Sequence, residues 1–109
     1  MSLSKVIHVN DQSLSKVIKD SKIAIVYFWA SWCGPCKMMK NTYDELSNRT
    51  DETVLVAKAD VDDCPYASAD YKINSVPTFI LFKDGVEKQR IYGLTTVESL
   101  LEQIKEIIV

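Results

Sequence analysis

Residues 22–30 read Lys-Ile-Ala-Ile-Val-Tyr-Phe-Trp-Ala, an almost unbroken run of β-branched, aromatic and small apolar side chains. A strand with one face in water alternates polar and apolar residues. This run does not alternate, so both of its faces must be covered, as in the central strand of a parallel sheet packed with helices on each side. A second run, Thr53 to Asp60, has the same character. In a chain of 109 residues there is room for one such sheet and its helices, so residues 1–109 are expected to form a single domain.

The other elements follow from period and punctuation. Lys5 to Val9 is a short strand candidate. Asp11 offers a cap to a helix whose apolar residues Leu14, Val17 and Ile18 recur at three and four. A long helix is expected from Cys33 to about Asn48, with Met39, Tyr43 and Leu46 on its buried side. A shorter one covers Pro65 to Tyr71, with Pro65 in the first turn, where a missing amide proton does little harm. Pro77 to Lys83 and Val86 to Tyr92 form a hairpin about Asp84-Gly85. The last helix reads most cleanly. Thr95 and Glu98 form a capping box, and Val97, Leu100, Leu101, Ile104 and Ile108 trace one apolar face. The order is βαβαβα followed by ββα. The fold class is therefore α/β, with a central mixed sheet made of a parallel βαβ half and an antiparallel hairpin, flanked by helices on both faces.

Composition narrows the function. A net charge of −2 gives no clustered basic face for nucleic acid and no polybasic membrane anchor. The longest apolar stretch, Ile23 to Ala30, is far too short to span a bilayer, and the opening residues lack the unbroken apolar core of a signal peptide. The chain is expected to be soluble and cytoplasmic. Its three cysteines, Cys33, Cys36 and Cys64, are an odd number, poor material for a secreted disulfide framework.

Cys33 and Cys36 flank Gly34-Pro35 directly after the central strand. Such a pair holds a metal or passes electrons. A closed zinc site needs four ligands, and the remaining candidates, Cys64 and His8, belong to distant, unrelated segments with no second paired motif, so no metal site is expected. Redox chemistry fits the position better. A helix start presents unpaired amides and partial positive charge, which favour a thiolate and lower the pKa expected of Cys33. The three-residue spacing puts both sulfurs on one helical face, within reach of a disulfide after a small adjustment. Pro35 stiffens that turn, and Gly34 leaves space for a substrate backbone. Cys36, one turn deeper, is expected to be shielded, leaving Cys33 to attack and Cys36 to resolve. Cys64 reads as an inert small residue more than a regulatory thiol, and His8 as structural.

Phe-Trp-Ala-Ser-Trp-Cys-Gly-Pro-Cys-Lys (28–37), Ser-Val-Pro-Thr (75–78), Phe-Lys-Asp-Gly (82–85) and Gly93 together resemble the thioredoxin family, over essentially the whole chain and in the right order. The resemblance implies a thioredoxin fold and a protein-disulfide reductase that maintains redox homeostasis and uses no bound cofactor. Its implied partners are disulfide-containing substrate proteins and an NADPH-dependent thioredoxin reductase; nucleic acid, membrane and stable self-association are not implied, and the chain is expected to be a monomer. It further implies a cis peptide before Pro77, which leaves the Val76 backbone free to pair with an extended substrate. Trp32 and Gly93 would line the same substrate groove. Lys37 and Lys40 read equally as positive potential near the thiols or as a solvated helix face.

The pattern breaks at three positions. Tyr27 stands where the family has a buried aspartate thought to take the proton of the resolving cysteine. A neutral phenol is a poor acceptor, so Tyr27 is expected to slow that step without abolishing it. Lys58 matches the lysine beside that aspartate and here loses its carboxylate partner, so it should shed its proton more readily or reach toward solvent. Asn41 replaces a helix-kinking proline, which predicts a straighter helix. Ser75 replaces a frequent glycine and narrows the groove. The alternative function is a thioredoxin-like interaction module in a larger assembly, with secondary redox activity.

Overall fold

A computed structural model describes residues 5–108. Five strands and five helices follow one another as β1 (Ile7–Val9), α1 (Leu14–Asp20), β2 (Ile23–Trp29), α2 (Gly34–Met38), α3 (Lys40–Arg49), β3 (Val54–Asp60), α4 (Pro65–Asp70), β4 (Thr78–Lys83), β5 (Val86–Tyr92) and α5 (Val97–Ile108). The strands form one sheet in the order β1-β3-β2-β4-β5. β2 runs parallel to β3 and antiparallel to β4, so it lies at the junction of the two halves. The expected mixed sheet is the observed one.

Alternation along β2 sorts the core into two layers. Ile23, Ile25 and Tyr27 pack with Met39, Tyr43 and Leu46 and with Val97, Leu100 and Ile104 of α5. Ala24, Val26 and Phe28 face the other way, onto Leu14 and Ile18 of α1 and Ala67 of α4. Both faces of the strand are covered, which is why its sequence has no polar residue between Ile23 and Trp29. The hairpin turns through Asp84 and Gly85 with φ of +51° and +81°, the left-handed pair that matches the twist of the flanking strands.

Four local expectations need correction. The helix from Cys33 is not continuous: it breaks at Met39, although no proline stands at the break or just beyond it. The Met39 amide turns back to the Cys36 carbonyl (3.1 Å), a bond one residue tighter than the α-helical ladder. Asp11 does not cap α1. The side chain of Asn10 accepts the amides of Gln12 (2.9 Å) and Ser13 (3.0 Å) there, while the Asp11 carboxylate accepts Tyr66 (3.1 Å) and Ala67 (2.8 Å) at the start of α4. The cap of α5 is Thr96, whose hydroxyl accepts the Ser99 amide (3.1 Å); Glu98 instead pairs with Arg49 at 2.9 Å. Ile108 is exposed, and Ile107 packs on the core in its place.

Candidate active site

The cysteine pair lies where β2 runs out. The Cys33 amide bonds back to the Ala30 carbonyl (3.1 Å), and Cys33 stays extended, with φ −89° and ψ 113°, as the N-cap of α2. Its sulfur accepts the Cys36 amide at 3.2 Å. α2 has only five residues, so little aligned dipole stands behind it; the aimed Cys36 amide is the specific electrostatic contribution at this sulfur. Pro35 falls in the first turn, where it removes no needed donor. Cys33 and Cys36 are joined as a disulfide with Cα atoms 5.3 Å apart. The expected difference in shielding is slight: Cys33 is 5% exposed and Cys36 3%. Cys33 lies under its neighbours, and the two sulfurs differ in what they touch more than in how much water they see.

Beside Cys33 is the β4 approach. The Val76–Pro77 peptide is cis, and the Val76 carbonyl lies 3.7 Å from the Cys33 sulfur. The Pro77 carbonyl accepts the Gly93 amide (2.9 Å), which ties the end of β5 to the same place. Gly93 has φ +79°, a conformation that excludes most side chains. Trp32 is 67% exposed, and its indole donates to the Asp62 carboxylate at 3.2 Å. With Val61, Ile73, Asn74, Ser75 and Val76 it borders a shallow groove of about 140 Å³. A side chain at Gly34 would meet nothing within 4 Å, so the approach over the disulfide is open. The sequence marked Trp32, Val76, Pro77 and Gly93 but not Asp62, which orients the indole from a loop where no local pattern sets it apart.

Behind the pair, Tyr27 is fully buried. Its ring stacks on Phe79 with centroids 4.7 Å apart and meets the Tyr43 ring at 4.9 Å. Its hydroxyl donates to the Cys36 carbonyl at 3.0 Å, a contact the sequence reading missed because it runs to the backbone. Burial pushes the Tyr27 phenol up to about 12. Lys58 engages no ion pair among the described residues. Its ammonium sits 4.5 Å from the Trp29 ring centroid and 6.0 Å from that of Tyr27. Burial lowers its pKa; Asp44 opposes that shift and Lys40 reinforces it. The expectation of a readily deprotonated Lys58 follows the same direction.

The remaining cations and thiol stand apart from this arrangement. Lys40 is paired with Asp44 at 3.1 Å, and Lys37 is exposed to solvent. Cys64 is fully buried on the opposite face of the sheet, its sulfur 3.5 Å from the Val9 carbonyl. Burial, then the charges of Asp11, Asp63 and Asp60, push its thiol up to about 11.

A strand-end cysteine pair that closes as a disulfide beside a proline-led strand can exchange two electrons with a protein disulfide. Comparison with known proteins points the same way. The family model Thioredoxin matches residues 5–106. A thioredoxin of Mycobacterium bovis is 38% identical over 106 residues, covering 96% of this chain and 91% of the relative. One from Rickettsia felis is 40% identical over 102 residues, covering 93% and 97%. Among solved structures, a mutant thioredoxin from Halobacterium salinarum superposes with a TM-score of 0.86 at 30% identity, covering 97% of this chain and 95% of that one. The match spans both halves of the sheet and the cysteine pair between them: the chain belongs to the thioredoxin family and is a thiol–disulfide oxidoreductase, a protein-disulfide reductase that cycles between dithiol and disulfide.

Proposed function

We propose that Cys33 is the attacking sulfur and Cys36 the resolving one. The observation that carries this assignment is the Cys36 amide aimed at the Cys33 sulfur from 3.2 Å. The same amide would stabilise a Cys33 thiolate in the reduced protein. The thiolate attacks one sulfur of a substrate disulfide, forming a mixed disulfide and releasing the first substrate thiolate. Cys36, having lost its proton, attacks Cys33. The second substrate thiolate leaves, and the Cys33–Cys36 bond closes. Two electrons pass from the dithiol to the substrate.

The groove beside Cys33 is the substrate path in this reading. Trp32 supplies an exposed aromatic face, the Val76 backbone supplies pairing for an extended chain, and Pro77 and Gly93 hold that backbone beside the sulfur. Gly34 keeps the approach clear, Pro35 keeps the turn stiff, and Tyr27 and Lys58 tune the exchange from behind.

Disulfide-containing proteins are the substrates, and a reductase partner restores the dithiol. We infer that this partner is an NADPH-dependent thioredoxin reductase and that the chain works as a one-domain monomer in the cytoplasm, without nucleic acid or membrane. No described helix is long and apolar enough to cross a bilayer. The test is a trapping experiment with a disulfide-linked protein substrate. Cys36→Ser should accumulate a covalent mixed disulfide through Cys33, and Cys33→Ser should trap none. Trapping through Cys36 would overturn the assignment. Full biological activity of the Cys33→Ser, Cys36→Ser double variant would favour the interaction-module alternative.

A further inference from the structure

Two bonds converge on the Cys36 carbonyl. The Met39 amide reaches it from 3.1 Å and the Tyr27 hydroxyl from 3.0 Å. A carbonyl oxygen has two lone pairs, so both bonds can form together. A side chain bonded into the ladder is a recognised companion of helix interruption, and the break at Met39 lies at this doubly bonded carbonyl.

The phenol acts here as a donor. Its proton is committed to the carbonyl, and its environment keeps it protonated far above neutral pH. Accepting a thiol proton would require an oxonium ion or a prior loss of that proton, so Tyr27 cannot serve as the base for Cys36. What it can do is mechanical. Its ring is wedged between the rings of Phe79 and Tyr43, with centroids 4.7 Å and 4.9 Å away. The hydroxyl therefore projects from a fixed platform on the central strands. When the Cys33–Cys36 bond opens, Cys36 loses its covalent tether to Cys33. The anchored carbonyl remains.

We propose that Tyr27 is a positioning residue that holds the Cys36 backbone in its disulfide-competent place while the mixed disulfide exists, so that the Cys36 sulfur meets Cys33 without a search. This rests on Cys36 being the resolving cysteine. Tyr27 influences the second step of the exchange and leaves the first untouched.

The test separates the two steps. An aromatic disulfide such as 5,5′-dithiobis(2-nitrobenzoate) releases one coloured thiolate when Cys33 attacks and a second when Cys36 resolves. In Tyr27→Phe the first release should keep its rate. The second should slow about fivefold, the effect of losing one ordinary hydrogen bond of ~1 kcal/mol. Tyr43→Phe removes a hydroxyl of equal burial from the same cluster, but one bonded to strand carbonyls; it should leave the ratio of the two rates unchanged. An unaltered second phase in Tyr27→Phe, equal slowing of both phases, or equal slowing in both variants would overturn the proposal. If Cys36→Ser still releases the second thiolate, the resolving-cysteine assignment fails instead. Should Tyr27→Phe not fold, the reduced parent protein decides by NMR of the Tyr27 hydroxyl proton, because the Met39 amide bonds the same carbonyl. A hydroxyl proton that exchanges freely with water in the reduced state would end the idea, and one protected from exchange and close to the Cys36 carbonyl would support it.

Discussion

The Cys33 sulfur accepts the amide of Cys36 at 3.2 Å, while the Cys64 sulfur is fully buried near the Val9 carbonyl on the far side of the sheet. One cysteine sits where an anion is welcome and another where burial opposes it. In the reduced protein at neutral pH, iodoacetamide should modify Cys33 faster than a free thiol such as N-acetylcysteine. Cys64 should react only on unfolding. Peptide mass spectrometry of timed samples checks this, and early label on Cys64 would contradict it.

Tyr27 makes stability depend on alkaline pH with a definite sign. An unfolded tyrosine loses its proton near pH 10, whereas Tyr27 in the fold loses it at about 12. Between those values the unfolded state binds fewer protons, so stability falls as pH rises. The contribution is complete below about pH 10 and gone above about pH 12, at most about 2–3 kcal/mol. Tyr43, also raised by burial, acts in the same direction. Urea unfolding across that window should show the decline, and Tyr27→Phe should make it shallower.

Asp62 holds Trp32 by its indole at 3.2 Å, although the ring is largely exposed. Removing the acceptor in Asp62→Ala frees the ring to wander. KM for protein disulfides should then rise about two- to fivefold, in keeping with one modest exposed hydrogen bond, with kcat nearly unchanged. Equal KM values for the two proteins would remove Asp62 from the groove.

Asp11 accepts two amides at the start of α4. Asp11→Ala should lower unfolding free energy by about 1 kcal/mol, the ordinary effect of losing a cap. It should not change the rate of disulfide exchange, because α4 packs on the face opposite the cysteine pair. Chemical denaturation and a turnover assay on the same sample test both halves.

Much of this molecule was legible along the chain. The uniformly apolar β2 announced two covered faces, and the apolar face of α5 was marked by Val97, Leu100 and Ile104. The motif around Cys33 and Cys36 placed the chemistry at a strand end. The misread details were ones that local pattern leaves ambiguous. Thr95 and Thr96 stand side by side, and a shift of one residue decides which hydroxyl faces the Ser99 amide. Asp11 has the composition of a cap for the helix that follows it, but its carboxylate goes to α4, and Asn10 takes the amides of the turn before α1.

The sequence alone determined the two covered faces of the central strand, the placing of both cysteines at the start of a helix and the family to which they belong. Each is carried by residues near one another along the chain, where period and spacing speak directly. Only the tertiary structure decided that Tyr27 would meet the carbonyl of Cys36, that Asp11 would cap a helix 56 positions on at Ala67, and that Asp62 would hold Trp32. Those contacts join distant segments through space, and their partners are chosen by how the sheet and helices pack, with no repeat in the sequence to announce them.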